Sequence, residues 1–153
     1  DFQTGARFLS DNAGDFFVNL SIAYVDDERR SDTPGDPYVT IMEQERRLRS
    51  RSYLSFSWTK NDWAAGVSTS RIGSMNFQSP RWDGKPNTKI DPYYDIGAFV
   101  RYDIEDGHYV ALSVSNLMDD IPKKNSDLGW PWFATYYYSP VGRELFLTYR
   151  YTF

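Results

Sequence analysis

The chain has 153 residues, a formal net charge of −4 and no cysteine, while 18% of its residues are aromatic (5 Trp, 12 Tyr and 10 Phe). This composition argues against an intrinsically disordered chain, which is poor in aromatic residues, and the mild acidic balance argues against non-specific nucleic-acid binding. The absence of cysteine and the single histidine, His108, exclude disulfide scaffolds, thiol catalysis, cysteine-ligated zinc and histidine-pair metal sites.

Apolar and polar residues alternate at every second position along most of the chain, and this period of two predicts β-strands. The clearest case is the last strand, in which Leu145, Leu147 and Tyr149 alternate with mostly polar residues. No stretch approaches the roughly 20 apolar residues that a membrane-spanning helix needs. In chain order, the predicted strands are 2–9 (the weakest), 15–26, 46–59, 63–75, 93–104, 108–118 and 143–153.

The connections between the predicted strands alternate strictly between short and long. The short turns are 11–14, 60–62 and 105–107, and the long connections are 27–44, 76–92 and 119–141. The sequence therefore predicts an all-β, antiparallel up-and-down meander of six or seven strands. Short turns at one end and long loops at the other are typical of transmembrane β-barrels, in which the turns are periplasmic and the loops extracellular.

Aromatic residues flank the short turns: Trp58 and Trp63 around the second, Tyr102 and Tyr109 around the third. Such rings are expected at a membrane interface, where one end of an amphipathic ring is apolar and the other is wet. Two other interpretations remain open at this point. One is a soluble or secreted all-β carbohydrate-binding module, and the other is a small complete outer-membrane barrel.

Two motifs near the C terminus favour one of these interpretations, a large outer-membrane barrel. Residues 114–120 read VSNLMDD and residues 138–143 read YSPVGR, and together they resemble the closing hairpin of TonB-dependent outer-membrane receptors, with Met118 in place of the usual aromatic residue. The terminal run LFLTYRYTF, with aromatic residues at Tyr149, Tyr151 and Phe153, resembles the sorting signal that the barrel-assembly machinery recognises.

The resemblance implies that residues 1–153 form the C-terminal portion of a barrel of about 22 strands, without the plug domain and the earlier strands. It implies a bacterial outer-membrane location and energy-coupled uptake of a scarce nutrient (a siderophore, vitamin or oligosaccharide), with no enzymatic activity and no cofactor. The implied partners are membrane lipid, the TonB complex through the plug, the barrel-assembly machinery, and an unidentified small molecule. Exposed strand edges and apolar faces predict that the isolated fragment self-associates.

Two groups of residues are candidate ligand contacts. Trp130, Trp132, Phe133 and Tyr136 lie in the longest loop and could stack on a sugar or on the aromatic part of a siderophore; alternatively, they pack the loop on itself or extend the aromatic belt. The alternation places Arg47, Arg49 and Arg51 on the lumen face near the outer mouth, where they would attract an anionic ligand. The alternative is that they pair with lumen carboxylates such as Asp95 or Asp103.

The remaining charged residues suggest little chemistry. The carboxylate clusters at 26–28 and 119–120 lack the spacing of a calcium loop, so we expect solvated charges there. Nothing beside His108 suggests a nucleophile. We predict no catalytic and no metal-binding residues.

Overall fold

A computed structural model describes residues 1–41, 47–77, 88–105, 107–122, 124 and 137–152. Eleven strands lie within these ranges, and seven of them form one antiparallel sheet. The strands of this sheet are β1 (Phe2–Phe8), β2 (Asp15–Tyr24), β5 (Ser50–Lys60), β6 (Trp63–Ile72), β9 (Tyr93–Glu105), β10 (His108–Ser115) and β11 (Glu144–Arg150). Two short pairs complete the set: β3 (Arg29–Arg30) with β4 (Val39–Thr40), and β7 (Met75–Phe77) with β8 (Thr88–Ile90).

The order of strands in the sheet follows the order of the chain, β1-β2-β5-β6-β9-β10-β11. This arrangement confirms the predicted all-β antiparallel meander and its count of six or seven strands. The sheet is open, with β1 and β11 as its two edges. No helix in the described part of the chain is long and apolar enough to span a membrane.

The strand ends differ from the prediction where backbone conformation intervenes. The strand predicted to continue to residue 118 ends at Ser115, because Asn116 has φ of 48° and leaves the extended region. The strand predicted from residue 46 begins at Ser50, although Val25 N still donates a hydrogen bond to Arg49 O (2.8 Å). The long connection 27–44 contains β3 and β4, and β7 and β8 lie at the two ends of the connection 76–92, with β7 beginning at Met75; the alternation did not indicate these short pairs.

The short turns use residues that tolerate a left-handed backbone. Asn61 (φ 50°) joins β5 to β6 in a two-residue turn, and Gly107 (φ 82°) precedes β10. Such tight turns bring the two strands that they connect side by side, so β5 pairs with β6 and β9 pairs with β10. The three short turns lie at one end of the sheet, which we call the turn end, and the long connections lie at the other, the loop end.

Strand register assigns the side chains to two faces. Directly opposed residues form a row across all seven strands, from Ala6 through Val18, Phe56, Val67, Ala98 and Val114 to Leu145. These residues and those at even spacing from them form the apolar face. The opposite, polar face carries rows such as Gly5, Asn19, Ser55, Ser68 and Gly97.

The buried core is small and lies at the loop end. Among the described residues, the buried hydrophobic side chains are Ile41, Met75 and Tyr138. Met75 and Tyr138 form one cluster, and the edge of the Tyr138 ring meets Tyr93 with centroids 5.1 Å apart. Burial raises the pKa of the Tyr138 hydroxyl. Within the described ranges the sheet is thus a single layer, and this small cluster covers neither of its faces.

Candidate functional site

The apolar face is broad and open to its surroundings. Phe56 and Val67 lie near its centre and are 41% and 44% exposed, while Leu147 on the edge strand is 77% exposed. Soluble monomers rarely expose a contiguous apolar patch of more than a few hundred Å². A face that spans seven strands therefore needs an apolar environment or a covering partner.

Aromatic rings concentrate at the two ends of this face. Trp63 and Tyr102 are in contact near the turn end, with ring centroids 4.7 Å apart, and Tyr24 and Tyr94 lie toward the loop end. Eight residues separate Tyr94 from Tyr102 on β9, which is about 27 Å along a strand. In outer-membrane barrels, where strands tilt by about 40° and the apolar band is roughly 25 Å tall, a strand segment of this length covers about 20 Å along the barrel axis.

Tyr109, which we expected in this aromatic belt, lies on the polar face. It is opposite Asp103, and the Arg101 guanidinium lies 4.1 Å from its ring centroid. Tyr109 is adjacent to Val110 in β10, and successive side chains of a strand point to opposite faces, so Tyr109 is directed away from the apolar face. This part of the prediction is wrong, since lying next to a turn does not determine which face a residue occupies.

A groove of about 600 Å³ crosses the middle of the polar face. Many of its lining residues are small, and beside it Gly66 leaves room for the Phe99 ring, whose Cε1 would lie 2.6 Å from a Cβ at that glycine. Asp95 is the charged residue in its wall, and Tyr53 and Phe146 border it. The serines that line it are Ser55, Ser57, Ser68, Ser70, Ser113 and Ser115.

Sequence reasoning missed this groove, although a signal for it exists. Three strands each carry two serines separated by one residue, at 55/57, 68/70 and 113/115. Each pair occupies one face of its strand, since alternate residues share a face. Only the register between strands shows that the three pairs meet.

The motif at 114–120 forms a hydrogen-bonded corner around Asn116, which is 5% exposed. Its Nδ2 donates to Asp120 O (2.7 Å) and Val141 O (3.5 Å), and its Oδ1 accepts from Asp120 N (2.9 Å). Its backbone N donates to Asp95 Oδ1 (3.1 Å), which ties the corner to β9. One buried amide therefore joins β9, the end of β10 and the segment that leads into β11.

Asp119 links the first motif to the second. Its Oδ1 accepts a hydrogen bond from Arg143 N (2.8 Å), immediately before β11 begins. The same oxygen lies 2.6 Å from the position that a Cβ would take at Gly142, so a side chain there would displace it. The residues that carry the resemblance, distant in sequence, are thus in direct contact. We had expected only a solvated charge at Asp119.

The predicted arginine group is divided between a strand and the segment before it. Arg51 lies on β5 opposite Ala23 and Ile72, which places it on the polar face as predicted. Arg47 and Arg49 precede β5, and Arg47 Nη1 lies 3.3 Å from Glu28 Oε1. Of the carboxylates considered as partners, Asp103 pairs with Arg101, and Asp95 accepts the hydrogen bond from Asn116. A role for Arg47, Arg49 and Arg51 in ligand binding stays a prediction.

Asp27 belongs to an organised hairpin at the loop end. Hydrogen bonds from Thr40 and Arg29 lower the pKa of its carboxyl group below the ordinary value of 3.8. No group of three or more potential metal-ligating residues occurs in the described ranges.

The other predicted contacts are placed only in part. Trp130, Trp132, Phe133 and Tyr136 lie outside the described residues, as does Phe153. Tyr149 is on the apolar face and 60% exposed. Tyr151 packs against His108, with ring centroids 4.3 Å apart, at the turn end.

No protein-family model matches the chain, and neither the curated proteins nor the solved structures contain a match to it. The two faces of the sheet and the corner at Asn116 are therefore the features that bear on function.

Proposed function

We propose that the chain forms the C-terminal part of the wall of a TonB-dependent outer-membrane receptor, which takes up a scarce nutrient by energy coupling. The observation that carries this proposal is the register of the sheet, which collects apolar side chains on one face of all seven strands and polar ones on the other. A barrel wall needs this division, because one face meets lipid and the other a polar lumen.

The exposed apolar face favours a membrane protein over a soluble carbohydrate-binding module. Soluble sandwiches bury the apolar face of a sheet against a second sheet or a helix. The described residues provide no second layer, and Phe56, Val67 and Leu112 remain more than 40% exposed. Lipid chains would cover these side chains without a protein partner.

The two ends of the sheet support an orientation in which the short turns are periplasmic and the long loops are extracellular. The three short turns lie together at one end and the long connections at the other, which matches periplasmic turns and extracellular loops in outer-membrane barrels. The organised corner at Asn116 lies at the loop end, where the longest loop leaves and re-enters the sheet. Its residues are those that resemble the closing hairpin of the receptor family.

A labelling experiment tests the location and the orientation together. Because the sequence contains no cysteine, an introduced cysteine is the only thiol that the reagent can label. Tyr38→Cys places a thiol at the loop end, where Tyr38 is 73% exposed, and Asp11→Cys places a thiol at an exposed position in the first short turn. In intact cells that produce the polypeptide, a membrane-impermeant maleimide should label Tyr38→Cys and leave Asp11→Cys unlabelled. Permeabilising the outer membrane should expose both thiols.

The alternatives give other patterns. Labelling of both variants in intact cells, with the protein released from the membrane fraction by salt, would support a secreted module. Labelling of Asp11→Cys alone would contradict the orientation. Energy-dependent uptake of the nutrient, which needs the plug and the TonB complex, is tested separately by comparing growth on limiting iron, cobalamin or oligosaccharide with and without the gene.

A further inference from the structure

The last strand of the sheet, β11, has one edge that pairs with β10 and one that pairs with no strand in the described part of the chain. All seven of its residues are exposed, and Leu147 at its centre is 77% exposed. Glu144 and Arg150, near its two ends, form no ion pair within the described part of the chain. The free edge therefore offers unpaired backbone groups, apolar side chains and one charge of each sign.

The sequence of β11 is complementary to itself in the antiparallel direction. If two copies pair with Leu147 opposite Leu147, then Glu144 of each copy lies opposite Arg150 of the other. On the apolar face Leu145 then meets Tyr149. In this register apolar side chains therefore lie opposite apolar side chains, and the dimer contains two pairs of opposite charges.

We propose that two copies of this chain associate through the free β11 edge, as an antiparallel and two-fold symmetric pair of strands centred on Leu147. Opposite charges and apolar pairs directly across a strand pair stabilise it, and like charges destabilise it. A two-fold axis repeats each contact that lies off the axis, so the Glu144–Arg150 and Leu145–Tyr149 pairs each occur twice.

The opposite edge of the sheet fits this role less well. Pairing β1 with a second β1 around Gly5 would place Arg7 opposite Gln3, with no charge complementarity. The Arg7 guanidinium is also engaged within its own chain, 3.2 Å from Asp15 Oδ2 and 5.0 Å from the Phe17 ring centroid. Because Arg7 is already engaged within its own chain, β11 offers the free complementary charges that β1 lacks.

The proposed pair does not depend on the receptor function. The two-fold axis extends the apolar face continuously from one copy to the next but puts the long loops of the two copies at opposite ends. Copies inserted in one membrane with the same orientation cannot pair in this way. The dimer belongs to the chain in detergent micelles, with β11 unoccupied by any other strand.

A charge-exchange series tests the register. In micelles of a mild non-ionic detergent, Glu144→Arg and Arg150→Glu alone should each weaken dimerisation about tenfold, because each dimer then holds two like-charge pairs. The double variant E144R/R150E should restore the dimer. Gln3→Glu on β1 is the matched control and should leave it unchanged. Light scattering across a concentration series gives the dissociation constant of each variant.

Cross-linking tests the edge independently of the charges. Leu147→Cys should form a disulfide-linked dimer on mild oxidation, since the opposed Cβ atoms of a strand pair lie about 5 Å apart. Ala6→Cys on β1 should remain monomeric. The proposal is overturned by a chain that stays monomeric, by a dimer that ignores both charge changes, or by cross-linking at residue 6 in place of residue 147.

Discussion

At the scale of single residues, Asn116 has two separate functions. Its backbone takes a left-handed conformation, with φ of 48°, and so ends β10. Its buried amide then holds the segments on either side of the longest loop through Asp120 and Val141. Asparagine suits both functions, since it tolerates positive φ better than most residues and its amide both donates and accepts hydrogen bonds.

Two substitutions separate these functions. Asn116→Gly keeps the backbone conformation and removes the amide, so we expect it to cost about 2 kcal/mol of folding stability, because buried groups lose their hydrogen-bond partners. Asn116→Ala should cost about 1 kcal/mol more, since its Cβ disfavours positive φ. Urea unfolding in detergent micelles measures both. An Asn116→Gly variant as stable as the parent would show that the amide does not stabilise the corner.

A second residue-scale prediction concerns the pH dependence of the hairpin at Asp27. Because its pKa is lowered in the folded hairpin, the unfolded segment takes up a proton first as the pH falls. The contribution of this carboxylate is therefore fully present above its ordinary pKa of 3.8 and is lost as the pH falls through the lower, folded value.

Carbon-detected NMR titration of the Asp27 carboxyl group should show a titration midpoint, equal to its pKa in the folded hairpin, below 3.8. Thr40→Val, which removes the hydrogen-bonding hydroxyl with little change in shape, should move the midpoint up toward 3.8. Thr33→Val in the same hairpin should leave it unchanged. A Thr40→Val variant with the parent's midpoint would contradict the assigned hydrogen bond.

At the scale of one strand, the two faces of β6 predict opposite responses to the same charge. Val67 lies in the central row of the apolar face, opposite Ala98, and Ser68 lies beside it on the polar face. Val67→Arg should cost about 2–4 kcal/mol in a lipid bilayer, because arginine near the bilayer midplane is poorly solvated. Ser68→Arg should cost much less. The readout is urea unfolding of protein reconstituted in vesicles, and a larger cost for Ser68→Arg would reverse the assignment of the faces.

At the scale of the whole molecule, much of the fold follows from alternation and turn length. Seven strands and their order could be predicted because tight turns, such as the one at Asn61, force consecutive strands to pair. The end of β10 at Ser115 could not be predicted, since the alternation of apolar and polar residues carries no information on φ at Asn116. The face of Tyr109 was predicted wrongly from its position beside a turn, although its alternation with Val110 assigns it to the polar face.

The candidate site was less predictable than the fold, for a physical reason. The serine-lined groove depends on the register between β5, β6, β9 and β10, and register is a relation between strands that no single segment contains. Arg51 was placed on the correct face by the pattern of β5 alone. Arg47 contacts Glu28, a residue of another connection, which only the folded chain brings near.

The corner at Asn116 also affects how such a chain can change over evolutionary time. The loop leaves at Asp120 and returns at Val141, and the Asn116 amide joins these two points whatever residues lie between them. Lengthening a flexible loop is entropically cheap, at about 0.6 kcal/mol for each doubling. Insertions and replacements between Asp120 and Val141 can therefore accumulate without shifting β10 against β11, so the sequence of this connection can diversify while the sheet stays the same.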